Sequence, residues 1–153
     1  MKHIIFILIS FALFACKKEE QPATLTENLA KNDWRKTSVL VSVDSIAPDT
    51  IPTVDILSPK PDCAKDNIWH FDAATKTFTL SEGPSKCNIS DPDIKDQGTI
   101  TEQNNGAQLK VAGSGTNEIW EIESFTASAF HVSYFARKPD NKLAKFRVTF
   151  SKI

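Results

Sequence analysis

In Glu118-Ile119-Trp120-Glu121-Ile122-Glu123-Ser124, Trp120 and Ile122 alternate with Glu121 and Glu123. A period of two segregates these side chains only if the backbone is extended, with apolar groups on one face and charge on the other. The pattern recurs downstream. Phe130, Val132 and Tyr134 oppose His131 and Ser133. After the turn Lys138-Pro139-Asp140-Asn141, Phe146, Val148 and Phe150 oppose Lys145, Arg147 and Thr149.

Upstream, residues 98–103 and 108–111 flank Asn104-Asn105-Gly106, a hairpin signal because Asn and Gly tolerate positive φ. Residues 67–71 and 76–80 form a second hairpin around Asp72-Ala73-Ala74-Thr75. There Trp69 and Phe71 alternate with Ile68 and His70, and Phe78 and Leu80 with Thr77 and Thr79. Residues 35–43 place Val39, Val41 and Val43 on one face and Ser38 and Ser42 on the other. Residues 50–57 are β-branched but carry Pro52, which fits an edge or irregular strand. Thr24-x-x-Glu27 is a capping-box pattern that opens one short helix over residues 25–31, with Leu25 and Leu29 one turn apart.

About nine short strands with no crossover helix require an antiparallel sheet, because parallel connections need a dozen or more residues. The expected fold is all-β: an antiparallel up-and-down barrel of eight to nine strands with one short N-terminal helix. A sandwich is the alternative, but closure removes the exposed sheet edges that invite aggregation. Trp69, Phe71, Phe78, Leu80, Trp120, Ile122, Phe130, Val132, Tyr134, Phe146, Val148 and Phe150 are the expected inward set. A barrel of this size is just wide enough to be filled by such side chains or to hold one small ligand. Both outcomes stay open, and the twelve residues are the candidate lining of any pocket.

The chain has 153 residues, 41% hydrophobic and 24% charged, enough for one domain with a packed core. Its formal charge of −1 leaves no electrostatic footprint for nucleic acid. Met1-Lys2-His3 is followed by twelve apolar or small residues, 4–15. As a helix they would span about 18 Å, short of a ~30 Å hydrocarbon core and suited to the apolar region of a secretory signal. The segment ends Leu13-Phe14-Ala15-Cys16, which resembles a bacterial lipoprotein lipobox with Cys16 as the lipidated residue. That resemblance implies a signal peptide over 1–15, a diacylglyceryl thioether on Cys16 and a further acyl chain such as palmitate on its amine. Residues 16–23 would be the lipidated Cys and a polar tether, and 24–153 the barrel domain. Lys17-Lys18-Glu19-Glu20 resembles the start of many Gram-negative surface lipoproteins. The expected location is the outer membrane, on its periplasmic side or at the cell surface.

With Cys16 acylated, Cys63 and Cys87 remain, and an even pair in an oxidising compartment reads as one disulfide. In up-and-down order both fall at the same barrel end, Cys63 between strands two and three and Cys87 between strands four and five. Neither has the C-x-x-C or C-x-x-H neighbour of a zinc site. Asp91, Asp93 and Asp96 crowd six residues but lack the Gly and distal Glu of an EF-hand loop, so a solvated acidic loop is expected. His70 and His131 have no ligand-spaced partner. No nucleophile elbow, zincin or P-loop pattern is present. No catalytic residue, metal or cofactor is expected, and no enzyme. Asp44-Ser45-Ile46 and Asp49-Thr50-Ile51 resemble acceptor tripeptides of periplasmic O-glycosylation.

Leu29-x-x-x-x-Trp34 before a Val-rich strand, Asp66-Asn67-x-x-x-Phe71, Glu82-Gly83-x-x-Lys86-Cys87 and a closing Phe-x-Val-x-Phe together resemble the lipocalin-like domain of secreted bacterial lipoproteins. The resemblance covers residues 24–153, and Cys63 and Cys87 match that group's paired cysteines. It implies an eight-stranded barrel with a cup for an apolar ligand. Function follows as a choice between two: a lipid-anchored, monomeric barrel that binds a small hydrophobic molecule, or a solid barrel whose loops contact another envelope component.

Overall fold

The computed structural model describes residues 23–42 and 53–153. Cys16, its signal segment and most of the tether lie outside the described residues, as do Val43, Ser45 and Thr50. The elements are α1 (Leu25–Leu29), β1 (Trp34–Ser42), β2 (Thr53–Asp55), α2 (Asp62–Lys65), β3 (Ile68–Asp72), β4 (Thr77–Ser81), β5 (Ile94–Gln103), β6 (Gln108–Gly113), β7 (Asn117–Phe125), β8 (Ala129–Arg137) and β9 (Leu143–Lys152).

From β3 to β9 each strand pairs antiparallel with the next. β1 then closes the ring, pairing β9 from Trp34↔Lys152 to Val41↔Phe146. Its other edge meets β3 only at Trp34↔Trp69 and Arg35↔Ile68. Beyond that point β1 and β3 part, and the short β2 takes the free edge at Leu40, Val41 and Ser42. The molecule is therefore a closed, antiparallel, eight-stranded up-and-down barrel with one extra strand, and not a sandwich.

Local chemistry sets the turns and the caps. Asn104, Asn105 and Gly106 take φ of 50°, 55° and 84°, the left-handed values that the Asn-Asn-Gly hairpin requires. Thr24 Oγ accepts the Glu27 N–H (3.2 Å) while Glu27 accepts the Thr24 N–H (2.7 Å), closing the capping box of α1. α1 covers one end of the barrel. Thr26 donates its N–H to Glu102 of β5 (2.5 Å), and Trp34 Nε1 donates to the Leu29 carbonyl (2.8 Å). Leu29 and Trp34 are fully buried there.

Two segments differ from the sequence expectation. The loop around Cys63 contains a one-turn helix, α2, opened by Pro61 in extended conformation. β5 starts at Ile94 rather than 98, because a bulge lets the polar residues pair: Leu80 faces Asp96, and Ser81 faces Ile94. Asp96 consequently leaves the expected solvated loop and is buried. Its carboxylate accepts the Ser114 N–H (2.9 Å), the Ser114 hydroxyl (2.8 Å), the Gly115 N–H (3.2 Å) and its neighbour Gln97's N–H (2.8 Å). The β6–β7 turn is tied to β5 in this way. Gly113 leaves room for the contact, since a Cβ there would stand 2.7 Å from Asp96 Oδ1 and 2.8 Å from the Phe78 ring.

Burial alone would raise the Asp96 pKa; the hydrogen bonds from Thr116, Ser114 and Gly115 outweigh it and hold the carboxyl below the usual carboxylate range. A depressed folded-state pKa contributes stability above the unfolded value of about 3.9 and loses it as pH falls through the lower folded value. Asp96→Ala is expected to cost about 2–3 kcal/mol at pH 7. The gap between wild type and variant should close in urea titrations run at progressively lower pH below 4.

Candidate functional site

The inward faces of the strands meet in an aromatic layer across the middle of the barrel. Phe130 and Phe150 stack at 4.4 Å between ring centroids, and Trp34 meets Phe130 edge-on at 4.9 Å. Trp69 lies 5.3 Å from Phe78, 5.4 Å from Trp120 and 5.8 Å from Phe150. Such pairs add about 0.5–1.5 kcal/mol each beyond the area they bury. Below this layer Phe71, Ile100, Leu109 and Val111 fill the space down to α1, with none of them more than 2% exposed.

Above the layer the barrel is open. A cleft of about 370 Å³ occupies the mouth where β1 and β3 part. Its barrel walls are Val39, Trp69, Leu80, Tyr134 and Phe146, with Lys36 reaching in from β1. Its rim comes from the β2–α2 segment through Ile56, Leu57, Lys60, Ala64, Lys65 and Asn67. The rim is pinned in three ways. Asp55 accepts the N–H groups of Leu57 (2.9 Å) and Ser58 (3.1 Å). Asp66 accepts the Ser85 N–H (2.9 Å) and packs so tightly on Gly83 that a Cβ there would lie 2.2 Å from its carbonyl oxygen. The disulfide between Cys63 and Cys87 joins the two loops covalently, with the sulfurs 2.08 Å apart.

Of the twelve residues expected to face inward, Trp69, Leu80, Tyr134 and Phe146 line this cleft. Phe71, Phe78, Trp120, Ile122, Phe130, Val132, Val148 and Phe150 belong instead to the packed cluster and do not line it. The filled and the open barrel thus occur in one molecule, one above the other.

Two polar side chains inside the barrel are absent from the sequence reading. Lys36 is half-buried, its ammonium 4.8 Å from the Trp69 ring centroid and 5.7 Å from that of Phe150. It faces inward because β1 carries a bulge: Lys36 pairs with Phe150 and Ser38 with Thr149, so Thr37 is an extra residue. Alternation counted back from Val39 puts Lys36 outside; counted forward from the buried Trp34 it falls inside. Glu118 of β7, one alternation before Trp120, accepts the Trp120 Nε1–H at 2.7 Å. Desolvation by burial pushes the Lys36 pKa down, opposed by the field of Glu118. Burial also pushes the Tyr134 phenol up, and the nearby Glu118 adds to it. Lys36 therefore sheds its proton more readily than a surface lysine, and Tyr134 stays neutral.

His70 and His131 sit exposed on the outer surface, His70 Nδ1 at 2.8 Å from Asp33 and His131 Nδ1 at 3.1 Å from Thr149 Oγ1. Among the described residues no group of three His, Cys, Asp or Glu side chains is placed to hold a metal ion.

No protein-family model and no curated protein matches the chain. Among solved structures it is similar to bovine odorant-binding protein in complex with its natural ligand, at 13% identity and a TM-score of 0.43, over 89% of this chain and 77% of that one. It is likewise similar to the complex of that protein with undecanal, at 12% identity and a TM-score of 0.45 over the same shares. At such values the likeness carries no ligand across to this chain.

Replacing both Cys63 and Cys87 by Ala is expected to lower stability by about 3 kcal/mol through loss of a loop constraint on the unfolded chain. Far-UV circular dichroism should stay that of a barrel while the urea midpoint falls. An unchanged midpoint would mean that the bridge does not hold the rim.

Proposed function

We propose that the chain is a lipid-anchored envelope protein whose barrel mouth binds a small apolar molecule. The cleft at the mouth carries this reading. Its 370 Å³ falls at the lower end of the ~300–1,000 Å³ typical of small-molecule sites. Val39, Leu57, Leu80 and Phe146 give it apolar walls over an indole floor, and the polar groups that join them are the side chains of Lys36, Lys60, Lys65, Asn67 and Tyr134. A volume of that size suits one short chain or a single ring system rather than a two-chain lipid. Binding is the activity assigned, and no residue is given a catalytic role.

Two measurements test the reading. In isothermal titration calorimetry the ligand-free domain is expected to bind 1-octanol. Ala64→Phe, which adds a ring at a cleft-lining position of α2, should weaken that binding by about tenfold or more. Unchanged affinity would place the ligand elsewhere.

The anchor rests on the sequence alone, on the apolar run of residues 4–15 and on Leu13-Phe14-Ala15-Cys16. Two or three acyl chains at Cys16 would hold the domain stably at the outer membrane, where a single chain binds only marginally. Intact-mass analysis of the exported protein is expected to show residues 16–153 plus diacylglyceryl and acyl groups. Extra hexose-sized increments would report sugars at Ser45 or Thr50. Cys16→Ser should abolish the lipid increment and release the protein from membranes; a soluble wild type would overturn the anchor.

A further inference from the structure

The charged side chains that line the cleft are of one sign. Lys36, Lys60 and Lys65 line it, and no carboxylate does. Lys65 is matched by Asp62 at 2.8 Å, and Lys60 lies exposed at the rim. Lys36 differs from both: it is inside, and no ion pair to it occurs among the described residues.

The carboxylates near Lys36 keep their charge, but each is bonded to another group and none forms an ion pair with it among the described residues. Glu118, whose field Lys36 feels, is held by Trp120 Nε1 at 2.7 Å. Asp55, Asp62 and Asp66 border an adjoining outer cleft that Lys36 also touches. They accept the Leu57 and Ser58 N–H groups, pair with Lys65, and accept the Ser85 N–H respectively. The Lys36 ammonium rests against the indole of Trp69 and the ring of Phe150. Lys36 is thus a partly desolvated inward cation that has Glu118 only as a more distant counter-charge, and an anion seated in the cleft would give it a direct partner.

We propose that the ligand is an amphipathic monoanion with a carboxylate head, bound head-down on Lys36 Nζ with its apolar body running along Val39, Leu80 and Phe146 to the rim. This rests on the binding reading above and specifies the class of ligand. The bound anion would replace water around a partly desolvated ammonium, so its contribution falls in the range of hydrogen bonds to charged groups.

Calorimetry with octanoate, 1-octanol and octylammonium at pH 7 tests it, since the three share a body and differ in head charge. Octanoate is expected to bind about ten- to a hundredfold more tightly than octanol, and octylammonium more weakly than both. Lys36→Met should bring octanoate down to the level of octanol while octanol binding persists, and Lys60→Met should leave the preference in place. Equal binding of the three by wild type would overturn the head-down anion and leave apolar binding standing. Loss of the preference in Lys60→Met but not in Lys36→Met would also overturn it. Failure of every probe to bind would overturn the binding reading itself. The wild-type series is informative even if Lys36→Met does not fold.

Discussion

Closure by β1 is the constraint on which the rest of the structure depends. A strand that must bond β9 along its length while releasing β3 after two residue pairs leaves a gap at one end only. The single extra residue at Thr37 reconciles these demands with side-chain placement. It keeps Trp34 and Lys36 inside below the bulge and Val39 and Val41 inside above it. Without it, alternation from Trp34 would turn Ser38 and Leu40 inward and push the valines into solvent. Register on the other flank is fixed by the same residues, since Trp34 also faces Trp69 of β3.

The two ends of the barrel follow from that asymmetry. At the end where β1 meets β3, α1 docks through Thr26 and Leu29, and large aromatic side chains can fill the bore. At the other end the ring is bridged by β2 and α2, elements too short to fill it. They are held by a covalent link, by Asp55 and by Asp66 instead of by a continuous ladder. A packed floor and a lined mouth are thus consequences of one topology.

Much of this was legible in the chain. Trp120 and Ile122 against Glu121 and Glu123 specified both extended conformation and the inward face. Thr24 and Glu27 specified the start of α1, and Asn104-Asn105-Gly106 a left-handed turn. The barrel end shared by Cys63 and Cys87 followed from strand order. What was not legible depends on contacts distant in sequence. A bulge breaks the alternation that would have identified Lys36 as internal. Glu118 looks like one more outward acid beside Glu121 and Glu123 until register places it one step before Trp120. Asp96 reads as part of a soluble acidic run because its partners, Ser114 and Gly115, lie a whole hairpin away. In each case a polar residue enters the interior because tertiary structure satisfies or isolates it, and composition alone carries no trace of that.

The arrangement of Trp69 has an optical consequence. Its ring centroid lies 5.4 Å from that of Trp120, with the planes inclined at 59°, and the Lys36 ammonium stands 4.8 Å from it. Two indoles at that distance share excitation and impose chirality on one another's near-ultraviolet bands, while a positive charge over one face displaces its emission energy. The ultraviolet spectrum of the two indoles is therefore sensitive to the charge on Lys36.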